Sequence, residues 1–193
     1  MKHSTALVIL AGGKSSRMGR DKALLPFGGY SCLAQFQYQR FLPFFEKVYI
    51  SCKNNKFDFE FKIIEDRYED SSPLVALVSI FETLQVEKIF LLSVDAPFVD
   101  KDTIDKLFEA SNNTDIVVAK SPNGIEPLCG IYNRSILEVA KKQLSQNNHR
   151  LNNLLKLLNT HFVEFQSEAV FLNMNYIEDY EKASLSYRDY KRN

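Results

Sequence analysis

Short apolar runs alternate along this chain with longer segments whose apolar residues recur at helical spacing. Leu7, Val8, Ile9 and Leu10 form the first run, which stops at Gly12 and Gly13. It reads as a buried strand released into a loop where side chains no longer constrain the backbone. Apolar positions at Leu33, Phe36, Tyr38, Phe41, Leu42 and Phe45 predict a helix over 33–45, with Pro43 disturbing its end. Strands follow at 47–51 and at Ile63-Ile64, and Ser72-Pro73 then supplies a capping residue and a helix-starting proline for a helix over 74–84. The segment 88–94 carries Ile89, Phe90, Leu91, Leu92 and Val94, the composition of a central parallel strand covered on both faces.

Asp100 or Asp102 can cap a helix over 103–110, and 115–120 reads as another strand. A turn at Pro122-Asn123-Gly124 leads to an extended strand over 127–132 and a helix over 135–144. Leu151, Leu154, Leu155 and Leu158 share one face of a further helix. A late strand at 162–165, a loop at Asn173-Met174-Asn175 and a helix over 176–185 complete the pattern, and the residues after Ser186 read as a polar, frayed tail. This alternation predicts an α/β fold in three layers, a mostly parallel, Rossmann-like sheet with helices on both faces. The 193 residues suit one domain over 1–193, with no internal repeat, low-complexity linker or boundary.

Charge narrows the function. Lys plus Arg and Asp plus Glu number 24 each, so the net charge is zero and no general nucleic-acid surface is expected. No apolar stretch is long enough for a membrane span and no secretion signal opens the chain, so a cytoplasmic protein is expected. Cys32, Cys52 and Cys129 lack Cys-x-x-Cys spacing and read as small buried residues; His3, His149 and His161 are scattered, without ligand spacing.

The basic residues gather instead in one loop. Lys14, Arg17, Arg20 and Lys22 stand among Gly12, Gly13 and Gly19, directly after the first strand. Glycine and serine let backbone amides face an anion, and the cations neutralise it, so a polyphosphate is the natural occupant. The segment is not a P-loop, because Val8 stands where that motif needs glycine, and Gly12-Gly13 with Gly19 does not match the dinucleotide fingerprint. Two carboxylates, Asp66 and Asp95, follow predicted strands and so fall on the carboxyl edge of the sheet, where open α/β sheets hold ligands. Basic groups with a carboxylate suit nucleotidyl transfer: one aspartate with phosphate oxygens and water satisfies Mg²⁺, and the cations balance the charge that builds on the phosphates.

Leu-Ala-Gly-Gly-Lys-Ser-Ser-Arg-Met-Gly-Arg-Asp-Lys, from Leu10 to Lys22, resembles the signature of the molybdenum cofactor guanylyltransferases, within the wider nucleotidyltransferase superfamily that includes sugar-nucleotide pyrophosphorylases. The resemblance implies a nucleotide-diphospho-sugar transferase-like fold and transfer of GMP from GTP to the phosphate of molybdenum-loaded molybdopterin, with release of pyrophosphate. It implies that Leu10, Ala11, Gly12 and Gly13 contact the nucleotide, that Lys22 and Arg17 hold its phosphates, and that Asp66 also contacts it. Asp95, in Ser-Val-Asp-Ala-Pro-Phe, matches the aspartate that holds magnesium. Glu126 to Tyr132, His149-Arg150-Leu151 and Asn173 to Asp179 resemble acceptor-side segments, which makes Arg150 and Asn175 acceptor candidates. Transient contact with a molybdoenzyme or cofactor-handling protein is the partner it implies.

Several positions depart from the family pattern. Ser72-Pro73-Leu74-Val75-Ala76 stands where Gly-Pro-Leu-Ala-Gly is usual, Ser51 stands where asparagine is expected, and Tyr176-Ile177 replaces Thr-Pro. The two missing glycines leave GTP and CTP both open as donor. A sugar-phosphate nucleotidyltransferase, a non-catalytic GTP-binding protein and a dinucleotide- or flavin-binding module are the other readings.

Overall fold

The computed structural model describes residues 2–12 and 19–190. The first strand, β1 (Ala6–Leu10), is buried at every position. Its side chains alternate between two cores: Leu7 and Ile9 enter one, Val8 and Leu10 the other. Helix α1 (Leu33–Phe41) begins at Cys32, whose sulfur accepts the Gln35 amide, and ends two residues before Pro43. Strands β2 (Val48–Cys52) and β3 (Ile63–Glu65) then extend the sheet from β1, each parallel to its neighbour. Helix α2 (Pro73–Leu84) starts as the sequence predicts, with Ser72 Oγ accepting the Val75 amide and Pro73 in the first turn.

β4 (Lys88–Ser93) returns to the other side of β1, again in parallel register, and its interior residues Ile89 to Leu92 are buried. Helix α3 (Lys101–Glu109) is capped by Asp100, which accepts the Thr103 amide; Asp102 lies in its first turn. β5 (Ile116–Ser121) and β6 (Gly124–Asn133) form a hairpin, and β6 inserts antiparallel between β4 and β5. Helices α4 (Leu137–Ser145) and α5 (Leu151–Leu157), strand β7 (Thr160–Glu164) and helix α6 (Ile177–Tyr190) complete the chain. The sheet order is β3-β2-β1-β4-β6-β5-β7, and among the described residues β6 is the one antiparallel strand.

The three-layer α/β expectation therefore holds. One core packs Phe36 and Phe41 of α1, Leu107 of α3 and Ala183 of α6 on the sheet; the other packs Leu77 and Phe81 of α2 with Leu151 and Leu154 of α5. Two local expectations change. The strand expected at 127–132 begins at Gly124, because the turn before it closes a hairpin instead of ending a parallel strand. The tail expected after Ser186 continues α6, since Tyr187 packs against Phe36 at 5.0 Å and Phe27 at 5.4 Å between ring centroids.

β6 crosses β5 where the register slips between Val118 and Ala119. Gly130 is required there: an added Cβ would stand 2.2 Å from the Val117 carbonyl oxygen and 2.9 Å from Val118 Cα. Close strand approach at a bulge is a setting that only glycine tolerates. The same slip leaves Glu126, farther back along β6, with its side chain at the carboxyl edge of the sheet beside Asp95.

Candidate active site

β1 and β4 lie side by side, so the segments leaving them emerge together at the carboxyl edge. From β1 the chain runs through Leu10, Ala11 and Gly12, and Ala11 N–H donates to the Ser51 carbonyl of β2 (2.9 Å). Gly13, Lys14 and Arg17 lie outside the described residues. A 3-10 turn over Lys22–Leu24 follows, capped by Asp21, which accepts the Ala23 amide at 3.0 Å. Lys56 joins the two ends of the basic loop, donating to the Ala11 carbonyl at 2.8 Å and to Asp21 Oδ2 at 2.5 Å. Sequence reasoning missed Lys56, because nothing local marks a lysine 45 residues from its acceptor.

Lys22 enters the site from that turn. Its Nζ donates to Asp95 Oδ2 at 2.8 Å and to Asn175 Oδ1 at 3.0 Å, so one ammonium joins two side chains that sequence reasoning assigned to different substrates. Asp95 follows β4, and its other oxygen accepts from Ser93 Oγ at 2.5 Å. Asn175 belongs to the loop before α6. That loop is held by Met174 N–H on the Asp95 carbonyl (3.1 Å) and by Asp179 Oδ2, which accepts the Asn175 and Tyr176 amides at 3.1 and 2.9 Å. Lys22, Asp95 and Asn175 thus come from three distant parts of the chain. Their lysine and aspartate side chains remain 15% and 17% exposed, dry enough to strengthen the electrostatics while open to a ligand.

Two clefts meet at this point. One, bounded by Leu10, Gly12, Ser51, Asp66, Pro73 and Ala76, lies between the ends of β1, β2 and β3 and the start of α2. The other, bounded by Asp95, Glu126, Phe171, Asn173 and Asn175, lies beyond β4 and under the loop before α6. Ser93 and Leu128 line both, forming the partition between them. In the first cleft Asp66 Oδ1 and Ser51 Oγ are buried without a hydrogen bond of good geometry. Burial raises the Asp66 pKa above the usual carboxylate range, and Lys53 and the nearby Ser51 hydroxyl offset part of that rise. Unpartnered buried oxygens on a cleft wall are acceptors poised for a ligand's donors.

In the second cleft burial likewise raises the pKa of Glu126, partly offset by the Ser121 hydroxyl (2.9 Å) and by Asn173, with the charge of Asp95 adding to the rise. Sequence reasoning did not single out Glu126 or Asn173 individually; the alternation of β6 could have placed Glu126 on the edge had the bulge been legible. Arg150 is brought elsewhere. It is the exposed residue preceding α5, and its neighbour His149 shares a hydrogen bond with Ser72 Oγ at 3.2 Å, so this segment stands beside the Asp66 cleft and not among the described residues lining the Asp95 cleft.

Asp95 and Asn175 present hard oxygen ligands to a common cation position, the donor chemistry that Mg²⁺ takes. Two adjoining clefts divided by Ser93 and Leu128, with the Lys22–Asp95–Asn175 cluster at the edge of the second, suit transfer of a nucleotidyl group from one phosphate chain to another, and on a doubly wound sheet this is the arrangement of the α/β nucleotidyltransferases. The model of a MobA-like NTP transferase domain matches residues 7–164. The chain is 42% identical over 178 residues to the molybdenum cofactor guanylyltransferase of Campylobacter jejuni, with 91% of this chain and 93% of the relative covered. It is 36% identical to the enzyme of the same name from Helicobacter pylori strain G27, covering 91% and 90%. The chain belongs to the MobA-like NTP transferase family and is a nucleotidyltransferase. A crystal structure of molybdopterin-guanine dinucleotide biosynthesis protein A from Archaeoglobus fulgidus superposes with a TM-score of 0.81 at 18% identity, covering 94% of this chain and 98% of that one, and shows the shared fold. The crystal structure of protein Aq1419 from Aquifex aeolicus VF5 is 30% identical with a TM-score of 0.76, covering 89% and 93%.

Proposed function

We propose that this protein is a magnesium-dependent cytoplasmic enzyme that transfers GMP from GTP to the terminal phosphate of molybdenum-loaded molybdopterin and releases pyrophosphate. The observation that carries this reading is the Lys22 ammonium shared by Asp95 and Asn175, which line the second cleft next to Ser93 on the partition. GTP occupies the Leu10 and Asp66 cleft, and the pterin phosphate enters from the Glu126 and Asn173 cleft. An oxygen of the acceptor phosphate attacks the α-phosphorus in line; a new P–O bond forms while the bond to the β-phosphate oxygen breaks, and that electron pair leaves with pyrophosphate. No covalent protein intermediate is needed.

Asp95 and Asn175 would hold Mg²⁺, which when bound neutralises charge on the phosphate oxygens. Lys22, now joined to both ligands, turns its ammonium to the phosphates and stabilises the charge that develops in the transition state. Arg17 supplies a second cation from the loop. Ser93 holds the free oxygen of Asp95 and so fixes the plane of its carboxylate. The ionised Asp66 carboxylate offers two acceptors to guanine, whose N1–H and 2-amino donors lie side by side, whereas cytosine presents only its 4-amino group. The guanylyltransferase names of the Campylobacter and Helicobacter relatives support the same choice of donor.

Pyrophosphate release from each of the four nucleoside triphosphates with Mg²⁺, with and without loaded molybdopterin, tests this. Release is expected with GTP and only when the pterin is present. Release with CTP in its place would overturn the donor assignment, and release that needs a sugar phosphate would overturn the acceptor.

A further inference from the structure

The loop that carries Asp95 is gripped from behind by one helix. Gln37 of α1 is fully buried, and its Nε2 donates to the carbonyls of Val94 and Ala96, both at 3.0 Å. One helical turn on, the two terminal nitrogens of Arg40 donate to the carbonyls of Pro97 and Val99. Each side chain thus spans a pair of carbonyls two residues apart, and the pairs repeat along the loop at the three-residue spacing that separates Gln37 from Arg40 on the helix. The Asp95 carbonyl between them accepts the Met174 amide from the loop that carries Asn175. The backbone on both sides of Asp95 is therefore fixed from α1, while its own peptide is tied to the other proposed ligand.

This arrangement carries a thermodynamic cost that a purely structural role does not justify. Gln37 Oε1 and Arg40 Nε are both buried without a hydrogen-bond partner. Arg40 lies between its two carbonyls and the faces of Phe41 (4.4 Å) and Phe36 (5.2 Å), and burial lowers its pKa to about 10, with Tyr187 and then Asp100 restoring part of it. It remains charged at neutral pH. Apolar residues at both positions would fill the same layer between helix and sheet without burying a charge or an orphaned amide.

We infer that Gln37 and Arg40 are positioning residues for the transfer reaction: they lock the Val94–Val99 segment so that the Asp95 carboxylate stands opposite Asn175 and Lys22. The inference rests on the role proposed for Asp95. The planar fork of Arg40 makes the function specific, because a lysine keeps the charge but reaches only one carbonyl.

The test uses Arg40→Lys and Gln37→Met, with Leu154→Val in the opposite core as a control of comparable destabilisation. Hydrogen exchange at the Ala96 and Met174 amides, which close onto this loop, is expected to be about 10-fold faster in both site variants and unchanged in the control. Pyrophosphate assays should show kcat reduced about 10-fold or more, with KM for GTP within about twofold of wild type, because the Asp66 cleft is untouched. Wild-type exchange at both amides in a folded Gln37→Met protein would overturn the inference, as would equal slowing of turnover by Leu154→Val. Gln37→Met nearly conserves volume, so it decides the matter even where Arg40→Lys does not fold. If wild type itself releases no pyrophosphate while the exchange pattern holds, the proposed reaction fails and the clamp stands.

Discussion

Asp66 sets stability against function in one side chain, and Asp66→Asn separates the two. In the free protein Oδ1 is buried and unpartnered, and burial raises the carboxyl pKa. For an acid whose folded pKa is raised, the protonated form is favoured by folding; that contribution is complete below the unfolded pKa and is lost as pH rises through the folded one. Above that pKa wild type therefore carries an ionised, under-satisfied carboxylate. Leaving a buried polar group unmade costs about 1–3 kcal/mol, and a neutral amide beside the Ser51 hydroxyl should recover about 1 kcal/mol of that. For a chain of this size the gain corresponds to a rise in Tm of roughly 2–4 °C. The advantage should be full above the folded-state pKa of Asp66 and shrink as pH falls through it toward the ordinary carboxylate range, where wild type takes up the proton. GTP binding should change in the opposite direction: losing charge-assisted acceptors worth about 1.5–3 kcal/mol weakens it about 10- to 100-fold. Thermal melts across that pH range and calorimetric titration with GTP measure both effects on the same samples. If Asp66→Asn showed no stability advantage anywhere in that range and bound GTP as wild type does, neither the orphaned carboxylate nor its place in the donor cleft would survive.

Asp95→Ala should reduce pyrophosphate release about 1000-fold or more, since it removes the proposed metal ligand and the partner of Lys22, and full activity would refute its role. Lys22→Ala should raise KM for GTP and lower kcat together, because the ammonium serves both bound nucleotide and transition state; steady-state kinetics separate this from a defect in kcat alone. Gly130→Ala forces a Cβ to within 2.2 Å of the Val117 carbonyl oxygen and should destabilise the protein by about 2–3 kcal/mol, read as a lower urea midpoint at constant m. All three thiols are buried, and burial pushes the Cys52 pKa up to about 11, so a disulfide reagent at pH 8 should label them only after denaturation.

Much of the architecture was legible because each element obeys a local rule. The apolar runs at 7–10 and 88–94 have the look of covered strands, Ser72-Pro73 that of a helix start, and of the two caps anticipated, Asp100 and Asp102, Asp100 performs the capping. Two features were hidden because their causes are not local. The direction of β6 depends on a hairpin closed by Ser121 and Gly124 and on a bulge that only Gly130 permits, so a pattern read as parallel alternation could not reveal a strand inserted against the rest. The last turns of α6 look polar in sequence, yet Tyr187 finds Phe27 and Phe36, more than 150 residues away.

The candidate site divides along the same physical line. Asp66 and Asp95 were readable because each follows a strand end, where chain direction alone sends a side chain to the binding edge, and Lys22 because it closes the basic, glycine-rich loop after the first strand. What makes them a site was not readable. Lys56 closes the basic loop across 45 residues, Asn175 reaches Lys22 across 153, and Gln37 and Arg40 fasten the Asp95 loop across 57 to 59. Only the sheet order, which sets β1 against β4 and brings α1 and the segment before α6 over the same edge, creates those contacts. Chemistry-bearing residues can be named from a strand and the loop after it, but their geometry belongs to groups that hold the loop from elsewhere. A substitution at Gln37 or Arg40, inconspicuous in the sequence, should therefore act on turnover through Asp95 while leaving nucleotide binding nearly untouched.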